Sequence, residues 1–327
     1  MYQVETLWHT SQVLRENPCG DPATRPVIIL SPPGTPKASP LPAVWMLAPF
    51  MSTGAAFLSF RPWQETLLDR IHRLSETGQV QPVRWILPDV FTAFGGSQYI
   101  DSAAIGAYRT YLWEELLPFV EARYQTTQRG LAGSSSGGFG ALVTALTGPV
   151  RISAVAVHAA DMGFEWCYLP DFPKLFRVLR SVGGLYAFWQ TWRKTPNKPA
   201  DWLAAINLIA MAAYSPNLSE PPPHLDLPVD AQSLEIYPAV WKRWLAWDPL
   251  QLITETDAAE RARRLRLLYF DVGEDDEYNL QYGAYRWHRQ LERLGIPHRY
   301  ETFPGGHRGT HVRDDESLSW LTAALTD

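Results

Sequence analysis

The segment Gly133-Ser134-Ser135-Ser136-Gly137 constrains this chain more than any other. A short apolar stretch, Gly130-Leu131-Ala132, precedes it, and a helix-spaced apolar run, Phe139 to Leu146, follows it. A strand that turns directly into a helix holds its central serine in a strained conformation with Oγ exposed. The positions two residues to either side must then be tiny, so that strand and helix can approach. Gly133 and Gly137 stand at those positions around Ser135, and Gly138 and Gly140 let the helix pack closely. Ser134 and Ser136 lack these symmetric flanks. Ser135 is therefore the expected nucleophile, and Ser136 is expected to contribute its backbone N–H.

Such a turn needs a sheet to stand on, and the rest of the chain supplies one. Short apolar runs alternate with longer helical patterns, the rhythm of a mostly parallel sheet flanked by helices. The expected strands are Val27–Leu30, Ala43–Leu47, Val83–Leu87, Gly130–Ala132, Ile152–His158, Leu265–Val272 and an edge strand Arg299–Phe303. Helical spacing marks Trp63–Leu74, Tyr108–Tyr124, Phe139–Leu146, Leu280–Leu294 and Leu318–Leu325. From 164 to 252 no strand pattern appears. Helical pieces punctuated by proline fill that stretch (Leu175–Val182, Trp202–Ala213 and Val240–Trp247). Its tryptophans and leucines argue against disorder. The expectation is one domain over 1–327 carrying a helical cap insertion at 164–252.

A serine hydroxyl at neutral pH needs a base within hydrogen-bond reach, and the base needs a third group to orient it. The expected chain order is serine, acid, histidine. Pro304-Gly305-Gly306-His307 follows the last strand, which makes His307 the expected base, ahead of His311. His158, at a strand end, reads as structural. The acid should follow the strand Leu265–Val272, where Asp271, Glu274, Asp275 and Asp276 crowd together, and spacing alone does not choose among them. The developing oxyanion needs two N–H donors. One is expected from Ser136. The other should come from the loop Ala48-Pro49-Phe50-Met51-Ser52, where proline has no N–H and Phe50 does.

Composition excludes other classes. The chain has 327 residues, 46% of them hydrophobic, enough for a large core without disulfide support. Two cysteines, Cys19 and Cys167, are expected as buried free thiols. A net charge of -5 without a basic block argues against nucleic acid as a partner. No apolar run reaches membrane-spanning length, no signal-like segment opens the chain, and no Cys/His cluster has zinc spacing. The expectation is a cytoplasmic protein without metal or cofactor whose partner is a small molecule. Oligomeric state is not legible.

Taken together the chain resembles the esterase D-like esterases, relatives of S-formylglutathione hydrolases, enterochelin esterases, feruloyl esterases and mycolyltransferases. The resemblance covers nearly the full chain. It rests on Leu47-Ala48-Pro49-Phe50, Leu87-Pro88-Asp89, Gly95-Gly96-Ser97-Gln98-Tyr99, Glu115 to Val120, Ala132 to Leu142, Asp271 to Glu277 and Gly305-Gly306-His307. It implies an α/β-hydrolase fold, selects Asp276 as the acid three residues after Gly273, and implies Phe50 as the second oxyanion donor. Ser97, Tyr99 and Ser134 are the expected substrate-binding residues. The chain departs from many members at Ala48-Pro49, where His-Gly or Ser-Gly is common, and at Ser134, often Leu or His. The implied activity is hydrolysis of a small or medium ester through an acyl-enzyme. The rivals are acyl transfer on the same triad and a non-catalytic binding protein on the same fold.

Overall fold

The apolar runs form an eight-stranded sheet in a computed structural model that describes residues 1–326. The strands are β1 (Gln3–Thr10), β2 (Thr24–Ser31), β3 (Leu41–Leu47), β4 (Arg84–Pro88), β5 (Thr126–Ser134), β6 (Ala154–His158), β7 (Leu267–Gly273) and β8 (Arg299–Phe303). Their spatial order is β1-β2-β4-β3-β5-β6-β7-β8. The pairs β1–β2 and β2–β4 are antiparallel, and every pair from β4–β3 to β7–β8 is parallel.

The middle strands are buried on both faces, which is why their sequences read as nearly unbroken apolar runs. Alternate residues point to opposite sides. Trp45, Leu47, Leu131, Val155 and Phe270 face one core, while Val44, Met46, Ala132, Ala156 and Tyr269 face the other. The first core is covered by the helical run α2 (Tyr108–Glu121), by α3 (Ser136–Thr147) and by the helices inserted after β6. Leu67, Ile71 and Leu74 of α1 (Leu67–Glu76) and three leucines of the last helix, Asp314–Thr326, cover the second.

Several elements differ from the sequence expectation, and three of the differences have a clear local reason. Strand β1 had no apolar run to announce it; it alternates exposed and half-buried residues and exists by pairing along its whole length with β2. Helix α1 begins at Leu67, four residues after Trp63, because the Thr66 side chain accepts from Asp69 N while Asp69 accepts from Thr66 N. Trp63 itself has φ 59° and is fully exposed. The last helix starts at Asp314, with Asp314, Asp315 and Glu316 in its first turn, where carboxylates offset the positive helix end.

Between β6 and β7 the chain adds no strand to the sheet. It forms α4 (Phe164–Cys167), α5 (Phe172–Val182), α6 (Leu185–Lys194), α7 (Ala200–Met211), α8 (Pro238–Leu245), α9 (Pro249–Leu252) and α10 (Thr256–Arg263). One buried carboxylate ties the start of this segment to its end. Asp248 accepts from the N–H groups of Gly163 (3.0 Å), Phe164 (2.8 Å) and Leu250 (3.0 Å). Aromatic rings fill the interior: Phe164 stacks on Tyr214 at 5.4 Å, and Tyr214 meets Trp244 edge-on at 5.6 Å. Trp189 stacks on Phe94 at 4.2 Å, and Trp192 Nε1 donates to Ala93 O at 2.9 Å, which docks the segment on the loop after β4. Cys19 and Cys167 are buried free thiols. Among the described residues no helix is long and apolar enough to cross a membrane.

Candidate active site

Strand β5 ends at Ser134 and α3 begins at Ser136, so Ser135 alone makes the turn. Its backbone sits at φ 53°, ψ -126°, a region costly for a residue with a Cβ. The neighbours show what holds it there. A Cβ on Gly133 would stand 2.7 Å from Leu47 O, and one on Gly137 would run into that same carbonyl. Ser135 N donates to His158 O at 3.0 Å, and its carbonyl accepts from Phe139 N at 2.9 Å.

His307 lies on the loop after β8. Glu277 fastens that loop: its carboxylate accepts from His307 N at 2.6 Å, in space that a Cβ on Gly306 would invade. This accounts for the glycine immediately before the histidine. His307 Nε2 lies 3.1 Å from Ser135 Oγ, and Nδ1 lies 2.8 Å from Asp276 Oδ2. The other Asp276 oxygen accepts from Tyr278 N at 2.9 Å. A carboxylate only accepts, so Nδ1 carries the proton and Nε2 is free to take one from Ser135. Burial alone would lower the His307 pKa. The hydrogen bond and charge of Asp276, with the charges of Asp161 and Glu277, outweigh it and hold the imidazole above its ordinary value.

Two of the remaining acids are occupied elsewhere. Asp271 accepts from His158 Nδ1 (2.7 Å) and Tyr269 Oη (2.6 Å), and Glu274 accepts from Thr302 (3.1 Å). Burial would depress His158, but its hydrogen bonds to Asp271 and Asp314, with their negative charges, lift it to about 9. His158 thus belongs to a buried structural network with Asp271, completed by Ser317 at 2.9 Å. His311 lines a neighbouring cleft of about 230 Å³ together with Ser134, His158 and Asp314.

The Phe50 and Ser136 residues line one recess of about 10 Å³, roughly the room one oxygen atom needs. Ser97 and Tyr99 line it too, from behind. Tyr99 is 3% exposed, and its hydroxyl donates to Ala48 O at 2.6 Å. Its ring occupies the space that a Cβ on Gly140 would need. Ser97, also buried, accepts from Tyr99 N at 3.2 Å. Tyr99 thereby braces the loop that carries Phe50, Ser97 holds the Tyr99 backbone, and Ser134 lines the cleft beside His311.

One carboxylate at the site carries no recognisable motif. Asp161, three residues past β6, is 6% exposed. Its Oδ1 accepts from Ser135 Oγ at 3.3 Å, and its Oδ2 from Ser136 Oγ at 3.2 Å and Tyr168 Oη at 3.0 Å. Burial raises its pKa; the charge of His307 and the hydroxyls of Tyr168, Ser136 and Ser135 offset part of that rise. The available signal was positional: side chains just beyond the carboxyl ends of parallel strands face the ligand crevice.

The fold is the α/β-hydrolase fold, and the class is that of the carboxylic ester hydrolases. The chain belongs to the family described as "Putative esterase", whose profile matches residues 23–315. No curated protein sequence matches it. Among solved structures it is similar to a ferulic acid esterase at 18% identity and TM-score 0.63, covering 99% of both chains. An S-formylglutathione hydrolase from Agrobacterium tumefaciens matches at 16% identity and TM-score 0.57, over 99% of this chain and 96% of that one. A fluorophosphonate-binding serine hydrolase of Staphylococcus aureus matches at 15% identity and TM-score 0.59, over 98% of each.

Proposed function

We propose that the protein hydrolyses small or medium carboxylic esters through an acyl-enzyme on Ser135. His307 takes the Ser135 proton as Oγ attacks the ester carbonyl. Asp276 holds the imidazole and stabilises its charged form. The N–H groups of Phe50 and Ser136 receive the oxyanion in the recess they share. Collapse expels the alcohol, which leaves with the proton from His307, and water then releases the acid by the reverse sequence. The observation that carries this reading is the continuous run from Asp276 Oδ2 through His307 to Ser135 Oγ, with links of 2.8 and 3.1 Å. The names of the structural neighbours, a ferulic acid esterase and a serine hydrolase that binds fluorophosphonates, agree with it.

The helices of 164–252 serve, in this reading, as a cap that shapes the substrate opening. Their docking on the loop that holds Ser97 and Tyr99 supports this: Gln98 Nε2 donates to Tyr214 Oη at 3.3 Å. The test is Ser135→Ala assayed on a short-chain p-nitrophenyl ester. Turnover should fall by about 10⁴-fold or more. Turnover equal to the unaltered protein would end the proposal.

A further inference from the structure

We propose that Asp161 selects water over alcohols as the group that removes the acyl chain from Ser135. The inference rests on the acyl-enzyme reading above. In the free enzyme Ser135 Oγ faces two acceptors, His307 Nε2 at 3.1 Å and Asp161 Oδ1 at 3.3 Å. The two Asp161 oxygens are not equivalent. Oδ2 has two hydroxyl donors, Ser136 and Tyr168, whereas Ser135 is the donor to Oδ1. Acylation replaces the Ser135 hydroxyl hydrogen by carbon. The one Ser135 hydrogen serves His307 or Oδ1 in turn; once it is gone Oδ1 loses even its share of that donor while the carboxylate stays buried, and a buried acceptor without a partner is costly.

The acceptor that attacks next can repair this only if it brings two hydrogens. Water does. One O–H donates to His307 Nε2 and is the proton transferred as the water oxygen bonds to the acyl carbon. The second O–H donates to Asp161 Oδ1. The tetrahedral adduct collapses, the C–Oγ bond breaks, and Oγ takes the proton back from His307. The released acid carries the second hydrogen, and Ser135 again has a hydroxyl for Oδ1. An alcohol has one hydroxyl hydrogen, which must go to His307, so Oδ1 stays unsatisfied throughout transfer. Asp161 thus imposes a penalty on transfer that hydrolysis escapes.

The proposal predicts a product ratio. The enzyme is given p-nitrophenyl butyrate at a fixed alkaline pH, which favours the carboxylate form of Asp161, with methanol as competing acceptor. Methyl butyrate and butyric acid are then quantified. In Asp161→Asn the amide oxygen stays with Ser136 and Tyr168, which need an acceptor, so the NH₂ group faces Ser135 and accepts nothing. Asp161→Leu removes the acceptor altogether. Both variants should raise the ester-to-acid ratio about tenfold. The ratio is read from whatever acyl-enzyme forms, so slower acylation does not hide it, and the near-isosteric Asn variant carries the test if Leu fails to fold. A ratio unchanged or lowered in the folded variants overturns the proposal. The underlying reading fails separately: phenyl and p-nitrophenyl butyrate must give the same ratio with the unaltered protein if both pass through one acyl-enzyme.

Discussion

Replacing Asp276 by Asn changes one atom and, from the structure, reverses the direction in which His307 handles protons. Oδ1 of Asp276 accepts from Tyr278 N at 2.9 Å, and a backbone N–H cannot turn away. The amide introduced by Asp276→Asn must therefore keep its oxygen there and present NH₂ to His307 Nδ1, 2.8 Å away. A donor facing Nδ1 selects the tautomer with the proton on Nε2, which then points at Ser135 and cannot accept from it. The negative charge that stabilises the imidazolium is lost as well. A wrong tautomer of this kind costs about 10⁴ in kcat in a serine protease triad, equivalent to about 5 kcal/mol of barrier. The side chain is buried and its volume hardly changes, so the fold should persist. The assay is kcat/KM on p-nitrophenyl acetate beside a thermal melt. A loss below about tenfold in a protein with an unchanged melt refutes the argument, because the proton direction at His307 would then not depend on Asp276.

Three further outcomes follow from the same contacts. His307 is held above its ordinary pKa and must be neutral to act, so the rising limb of kcat/KM against pH should lie above about 6.5; a midpoint below that value contradicts the assignment. His158 has its folded pKa raised to about 9. The stability it contributes is therefore fully present below its unfolded value of about 6.5 and disappears as pH rises through about 9. Melts across that window should show a fall that His158→Gln removes, and a fall of equal size in the variant would count against the network. Asp248→Ala strands two buried N–H groups and one half-buried one, so chemical denaturation should show a loss of about 3 kcal/mol, and a change under about 1 kcal/mol would mean that the carboxylate does not hold the helical segment closed.

Much of the sheet was legible because burial on both faces writes itself as unbroken apolar runs, as around Ile86 of β4 and Val155 of β6. β1 was not, because an edge strand with one face in solvent leaves a pattern too weak to separate from a loop. At the site, Ser135 could be located because a strained turn demands small neighbours, and glycine is visible in a sequence. His307 was framed by glycines for a similar reason, although the residue that crowds Gly306, Glu277, lay unsuspected thirty positions earlier. The choice among four acids depends on which side chain points at His307, a matter of loop geometry that spacing does not encode; family resemblance pointed to Asp276. Asp161 stayed hidden because nothing local marks it. Its place beside Ser135 arises only when β6 pairs with β5.

The most direct test of the central claim is intact-protein mass spectrometry after rapid acid quench during turnover of a p-nitrophenyl ester, followed by peptide mapping. One added acyl mass is expected, located on the peptide containing Ser135 and absent from Ser135→Ala. An acyl group mapped to another residue, or ester turnover that survives intact in Ser135→Ala, would contradict it.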